Sequence, residues 1–167
     1  MNGYIIDKLL RKISEGNNDA FAELYVKTKR GVYSFLYSYL HDHHDSEDAV
    51  QTTYLKIKRS IANYRQGTNG VAWILEIAKN TARDILRSRR YTEDIDTLAA
   101  ESYDHSDSEI TDLIERVLDA EEAKIVILHV IWGLKHREIG AALGMPTGSV
   151  TSKYKRSLEK LRKEMKR

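Results

Sequence analysis

The sequence predicts an all-α protein of two small helical domains joined by an acidic flexible linker, the C-terminal domain being a helix-turn-helix. Three observations predict it. Apolar residues recur every three or four positions along most of the chain, and no run alternates at the period of a strand. The single proline, Pro146, falls in a turn beside Gly144, between two such helical stretches. Charge is segregated: residues 1–90 hold 15 Lys and Arg against 10 Asp and Glu, residues 91–109 hold none against 7, and residues 110–167 hold 12 against 8. The expected domains are therefore 1–90 and 110–167, with 91–109 between them.

In the first domain, Phe21, Leu24, Tyr25, Val32, Phe35, Leu36 and Leu40 mark one long helix, with Asn18 or Asp19 as its expected cap. A second helix is expected from about Asp45 or Ser46, with Val50, Tyr54, Ile57 and Ile61 at near four-residue spacing. Its other face is acidic at first and then basic. After the loop YRQGTNG comes a third helix, in which Trp73, Ile74, Ile77, Ala78, Thr81, Ala82, Ile85 and Leu86 face inward. Lys79, Asn80, Arg83, Arg87 and Arg90 share its opposite side, a basic stripe with one amide in it. Trp73 is assigned to the core and Tyr64 to the surface, as the aromatic available for stacking.

The linker, YTEDIDTLAAESYDHSDSE, has little helical periodicity and many small or polar residues. In the second domain, Ile139, Ala142 and Leu143 recur at helical intervals, and Gly144 is suited to end that helix at positive φ. Gly140, inside it, implies a close backbone approach from its partner helix. Thr147 is the expected cap of a second helix with Val150, Tyr154, Leu158 and Leu161 inward, and Thr151, Ser152, Lys153, Lys155 and Arg156 mostly off that stripe. Basic residues at the start of the second helix are where recognition helices meet base edges.

Composition narrows the function classes. At 167 residues with 41% hydrophobic content the chain can build modest cores. It has no cysteine, so no disulfide framework or thiolate metal site is available. There is no apolar run of about 18 residues and no apolar signal core at the amino terminus, so a cytoplasmic protein without membrane insertion is expected. The run HDHHD, His41 to Asp45, offers imidazoles and carboxylates, but structural zinc takes donors fixed on several elements, and no distant partner is evident. No metal and no cofactor are expected. No phosphate-cradling glycine loop and no nucleophile-base arrangement stands out, which argues against an enzyme.

The run DSEDAVQTTYLKI, followed by a loop and WILEIAKNTARDILRSRR, resembles the second conserved region of bacterial RNA polymerase sigma factors of the extracytoplasmic-function group, in the sigma-70 family. The run REIGAALGMPTGSVTSKYKRSLEKLR resembles their fourth region, and the order and separation of the two agree with that group. The resemblance implies that Asp45, Glu47, Asp48 and Gln51 dock on core RNA polymerase. It implies that the loop Tyr64–Gly70, with Tyr64 and Asn69, and Lys79, Asn80, Arg83 and Arg87 hold single-stranded promoter DNA near minus ten. Thr151, Ser152, Lys155 and Arg156, with Lys153 nearer the backbone, correspond to positions that read the minus-thirty-five duplex. The partners implied are core RNA polymerase and promoter DNA, with an anti-sigma factor as a further candidate. The chain departs from the group where small or hydroxylic residues and lysine stand at positions that often hold arginine. A stand-alone helix-turn-helix repressor or activator, with a dimerising or ligand-sensing amino-terminal part, is the other function class; copurification with core polymerase separates the two.

Overall fold

A computed structural model describes residues 3–92, 113, 114 and 116–166. The described residues fall into two compact units, one within residues 2–104 and the other within 105–167. Among them there are helices and turns but no strand. The acidic stretch 91–109 lies outside the described residues from position 93 onward, and the last helix of the first unit runs through Thr92, two residues past the expected domain edge.

The first unit consists of α1 (Gly3–Ser14), α2 (Asn18–Leu40), α3 (His43–Ser60), a short 3-10 turn (Ile61–Asn63) and α4 (Gly70–Thr92). Helix α1, which the sequence reading did not single out, buries Ile6, Leu9, Leu10 and Ile13, one stripe at i, i+3, i+4 and i+7. Asn17 caps α2, one residue earlier than expected, its side chain accepting from the Ala20 amide at 2.9 Å. Helix α2 ends at His41, whose φ of 50° is left-handed, and Asp42 starts α3 at once by accepting from the Asp45 amide at 2.8 Å. The second helix thus begins two to three residues before the expected point. Leu24, Val32, Leu36, Ile57, Ile74, Ala78 and Ala82 form the centre of this core. Thr28 and Tyr54 join α2 to α3 inside it through hydroxyls 2.5 Å apart. Burial, the largest influence, holds the Tyr54 phenol protonated far above its ordinary range.

The second unit packs buried Ile114 and Leu118 with α5 (Ala120–Val126), a wide π turn (Ile127–Ile131), α6 (His136–Leu143) and α7 (Thr147–Met165). Asp119 and Glu122 form a capping box at the start of α5, and the backbone amides of Glu122 and Glu121 help hold the Asp119 carboxyl below its usual range. Glu122 is buried, and Lys160 on α7 reaches its carboxylate at 2.6 Å. Trp132, Ile125, Ile127, Leu128, Ile139 and Val150 fill the core.

The helix-turn-helix differs from expectation in three details. Gly144 ends α6 with φ 69°, as its position predicts, but Pro146 rather than Thr147 occupies the cap position of α7, and no side chain caps it. Proline fixes φ near the value the helix start needs and has no amide to leave unpaired, so Thr147 becomes the first helical residue. Gly140 is buried, and a Cβ there would lie 2.6 Å from the carbonyl oxygen of Met145. The close approach is real, but it comes from the turn rather than from the partner helix. Ala142, expected inward, is exposed.

Candidate nucleic-acid interface

The first turns of α3 present the acidic residues. Asp48 and Gln51 are exposed, and Glu47 is half-buried. His44 approaches Asp48 at 3.5 Å, with both side chains mostly in solvent. Asp45 differs: its carboxylate is held by the guanidinium of Arg89 in the last turns of α4, and the same guanidinium donates to the carbonyl of Leu40 at 3.1 Å. Arg89 lies off the basic stripe of Lys79, Asn80, Arg83, Arg87 and Arg90. It points the other way and ties the ends of α2, α3 and α4 together.

Further along, α3 turns basic where it passes α4. Lys56, Arg59, Ser60, Asn63, Ile77 and Asn80 line a groove of about 360 Å³. Lys56, Arg59 and Asn63 were not among the expected site residues, although the switch of this face from acidic to basic was the signal for the first two. Lys56 is fixed by Asp84 at 3.0 Å, leaving it at the groove edge. Asn80 is exposed on the groove wall, and Arg83 and Arg87 continue along the exposed side of α4. Lys79 is set back: its ammonium meets Glu76 at 2.6 Å and its side chain is largely covered. An amide with donor and acceptor, an apolar wall and a cationic rim are the parts that hold an unpaired base and its phosphates.

Tyr64 is not the exposed aromatic that the sequence reading expected. It is 7% exposed, its ring lies 5.1 Å from that of half-buried Trp73, and its hydroxyl donates to Asp7 on α1 at 3.0 Å. Burial, and then the Asp7 carboxylate, push its phenol up to about 12. The reason for the difference is α1, whose apolar stripe closes over this side of the unit. Asn69 is exposed, and its side-chain oxygen accepts from the Ala72 amide at 3.1 Å, capping α4.

On α7, Ser152, Lys155 and Arg156 are exposed. Thr151 is partly covered: its hydroxyl donates to the Thr147 carbonyl at 3.0 Å and stands 3.0 Å from Nδ1 of His136. Lys153, expected on the DNA backbone, instead meets Glu121 on α5 at 2.5 Å, and that bond holds its ammonium above the usual lysine range. A lysine off the apolar stripe of its own helix is thus still recruited by an acid on the neighbouring one.

The HDHHD run is taken apart by the fold. Asp42 is a cap, Asp45 pairs with Arg89, and His43 stacks on Tyr37 with its Nδ1 2.5 Å from the Tyr33 hydroxyl. Among the described residues no three His, Asp or Glu side chains converge as a metal site.

Comparison with known proteins places both units. Residues 24–92 match the family model for Sigma-70 region 2, and residues 109–161 match that for Sigma-70, region 4. The chain is 32% identical over 165 residues to the RNA polymerase sigma factor CarQ of Myxococcus xanthus, covering 92% of this chain and 93% of that protein. It is 33% identical over 144 residues to the ECF RNA polymerase sigma factor SigE of Mycolicibacterium smegmatis, covering 78% of this chain and 56% of that longer protein. Among solved structures, the sigma factor RpoE in complex with the anti-sigma factor NepR from Bartonella quintana has a similar fold, with a TM-score of 0.66, 23% identity, and coverage of 90% of this chain and 98% of that one.

Proposed function

The chain belongs to the sigma-70 family of RNA polymerase sigma factors, in the extracytoplasmic-function group, and on that premise we propose how its two units divide the work of directing core RNA polymerase to promoters. The exposed acid and amide of Asp48 and Gln51, with Glu47, dock on core polymerase. The groove lined by Asn80, Asn63, Arg59 and Lys56 takes an unpaired base of the melted minus-ten element, and Arg83 and Arg87 follow the strand. Extruding a base costs a few kcal/mol, least where the duplex is already melted, so this site assists melting by holding the open strand. In the second unit, Arg156 reads the minus-thirty-five duplex, with Ser152 as an adaptable hydroxyl, Thr151 beside it held by Thr147 and His136, and Lys155 on phosphate.

The family is regulatory and non-catalytic, and under this reading the chain makes and breaks no bond; initiation chemistry belongs to the polymerase. It acts in the cytoplasm, where core polymerase and promoter DNA are its partners and an anti-sigma factor is a third. No described helix is long and apolar enough to cross a membrane.

The observation that carries the reading is the joint presence of regions 2 and 4, in order, with an exposed polar groove on one and the exposed cations Lys155 and Arg156 on α7 of the other. Run-off transcription with purified core polymerase tests it. Core alone should start poorly, and core with this chain should give discrete transcripts from promoters selected from its own genome. No specific transcript, together with no binding to core, would overturn it.

A further inference from the structure

The loop between α3 and α4 is anchored at both ends by one carboxylate from outside it. Asp7, on α1, accepts from the Tyr64 hydroxyl at 3.0 Å and from the Gly70 amide at 2.7 Å, both on the same oxygen. Tyr64 and Gly70 are the first and last residues of the loop. The Tyr64 hydroxyl also lies 3.2 Å from the carbonyl of Thr68, and Thr68 turns back on Arg65 at 2.6 Å. The loop tip is shaped by Gly67 at φ 84°. Gly70 is buried tightly enough that a Cβ would stand 2.5 Å from the Asp7 oxygen and 2.7 Å from Leu10. A side chain there would require the Asp7 carboxylate and the Leu10 side chain both to shift. Arg65, Gln66, Gly67, Thr68 and Asn69, between the anchors, are all exposed.

We infer that Asp7 is a positioning residue for minus-ten recognition: by gripping Tyr64 and Gly70 together it fixes the span of the strand-facing loop and the start of α4, and so where Asn80 meets the flipped base. This rests on the minus-ten reading proposed above. The physical case is one of distance. Tyr64 follows directly on the turn that holds Asn63 at the groove, and Gly70 opens the helix that holds Ile77 and Asn80. The two groove walls are thus joined through the anchored loop as well as through the core. Hydrogen bonds to a charged acceptor are the stronger kind and set direction as well as distance. A loop with five exposed residues in a row has no apolar burial to fix its shape, so the carboxylate supplies that constraint. Displacements of about 1 Å in a recognition geometry are enough to lose most of its selectivity.

The test uses the full chain with core polymerase on a promoter that the native protein transcribes, and on copies of it altered one base at a time in the minus-ten element. Asp7→Ala should keep core binding and upstream duplex binding but lower the preference for the native minus-ten bases by about tenfold, a change of about 1.4 kcal/mol. Asp7→Asn keeps an acceptor oxygen and should retain most of the preference, and Tyr64→Phe, which removes one of the two donors, should fall between. The preference is a ratio, so a variant that only loses folded fraction lowers every promoter alike and leaves it unmoved. An Asp7→Ala protein that initiates with native base preference overturns the inference while the minus-ten reading stands. A uniform loss on all templates, repeated by the milder Tyr64→Phe, also overturns it. A native chain with no minus-ten preference would overturn the reading and the inference together.

Discussion

Arg89 in α4 holds the carboxylate of Asp45 in the first turn of α3, and both side chains are about one-third exposed. Asp45 therefore differs from Asp48, three residues later and exposed, although both stand in the run that resembles a polymerase-docking segment.

The first prediction follows from that pair. Asp45→Ala and Arg89→Ala should each destabilise the first unit by about 1 kcal/mol, and the double variant should cost little more than either alone, because partly exposed pairs are worth little beyond that and the two effects share one interaction. Chemical denaturation of the four proteins measures the coupling. A coupling indistinguishable from zero would remove the pair from the forces that hold the helix ends together.

Asp48 and Gln51 should behave in the opposite way. Replacing both by Ala leaves the helical content and denaturation midpoint close to native, because neither is buried, while core polymerase affinity falls by about 1–3 kcal/mol if they sit near the middle of the interface. Native affinity in the double variant would take them out of it.

The second unit should lose stability in mild acid. The His136 imidazole is held below its ordinary value of 6.5 by burial first and by His129 second, whose ring lies 4.8 Å away. Tyr154 packs on both rings. The folded unit thus favours neutral His136, so its contribution is present above the unfolded value of 6.5 and is lost as pH falls through the lower folded value. Its Nε2 is buried without a hydrogen-bond partner, which makes a proton there costlier still. Denaturation midpoints measured from pH 7.5 down to 5 should fall for the native chain, and His136→Gln should flatten the part of that fall which this side chain causes. An equal fall in both would assign it elsewhere.

Much of this was legible in the sequence, for identifiable reasons. Val50, Tyr54 and Ile57 on α3 and Ile74, Ala78, Thr81 and Ala82 on α4 are buried as helical spacing predicts, while Trp73, Ile77, Ile85 and Leu86 are only half-buried; the end of α6 follows from Gly144, because one residue type suits the left-handed position. Asn80, Arg83 and Arg87 are exposed on α4 as the stripe predicted. What failed depended on contacts between elements distant in sequence. Tyr64 reads as a loop aromatic until α1, 57 residues away, brings Asp7 to its hydroxyl. Lys153 reads as surface until Glu121 on another helix claims it, and Arg89 reads as one more cation until Asp45 arrives from α3. Periodicity along one helix does not report which neighbour supplies the partner.

The last prediction separates four basic or amide side chains by where each is held. Arg156 is exposed on α7; if it is bidentate to a base, Arg156→Ala should cost about 1–3 kcal/mol of promoter binding and relax discrimination at one upstream base pair. Lys153 is bonded to Glu121, so Lys153→Ala should change the salt slope of binding by much less than the roughly one unit expected of a phosphate contact, and should instead lower the stability of the second unit. Lys155→Ala, exposed beside it, should show that slope change. Asn80→Ala should leave upstream duplex binding intact and impair opening, because the base proposed for its groove is available only after melting. Duplex affinity, its salt dependence and permanganate reactivity of the melted region, all measured with holoenzyme, give a different pattern for each variant. If Lys153→Ala lowers the salt slope by a full unit while stability is unchanged, its bond to Glu121 gives way to phosphate on DNA. If Asn80→Ala opens promoters normally, the strand is held by some surface other than this groove.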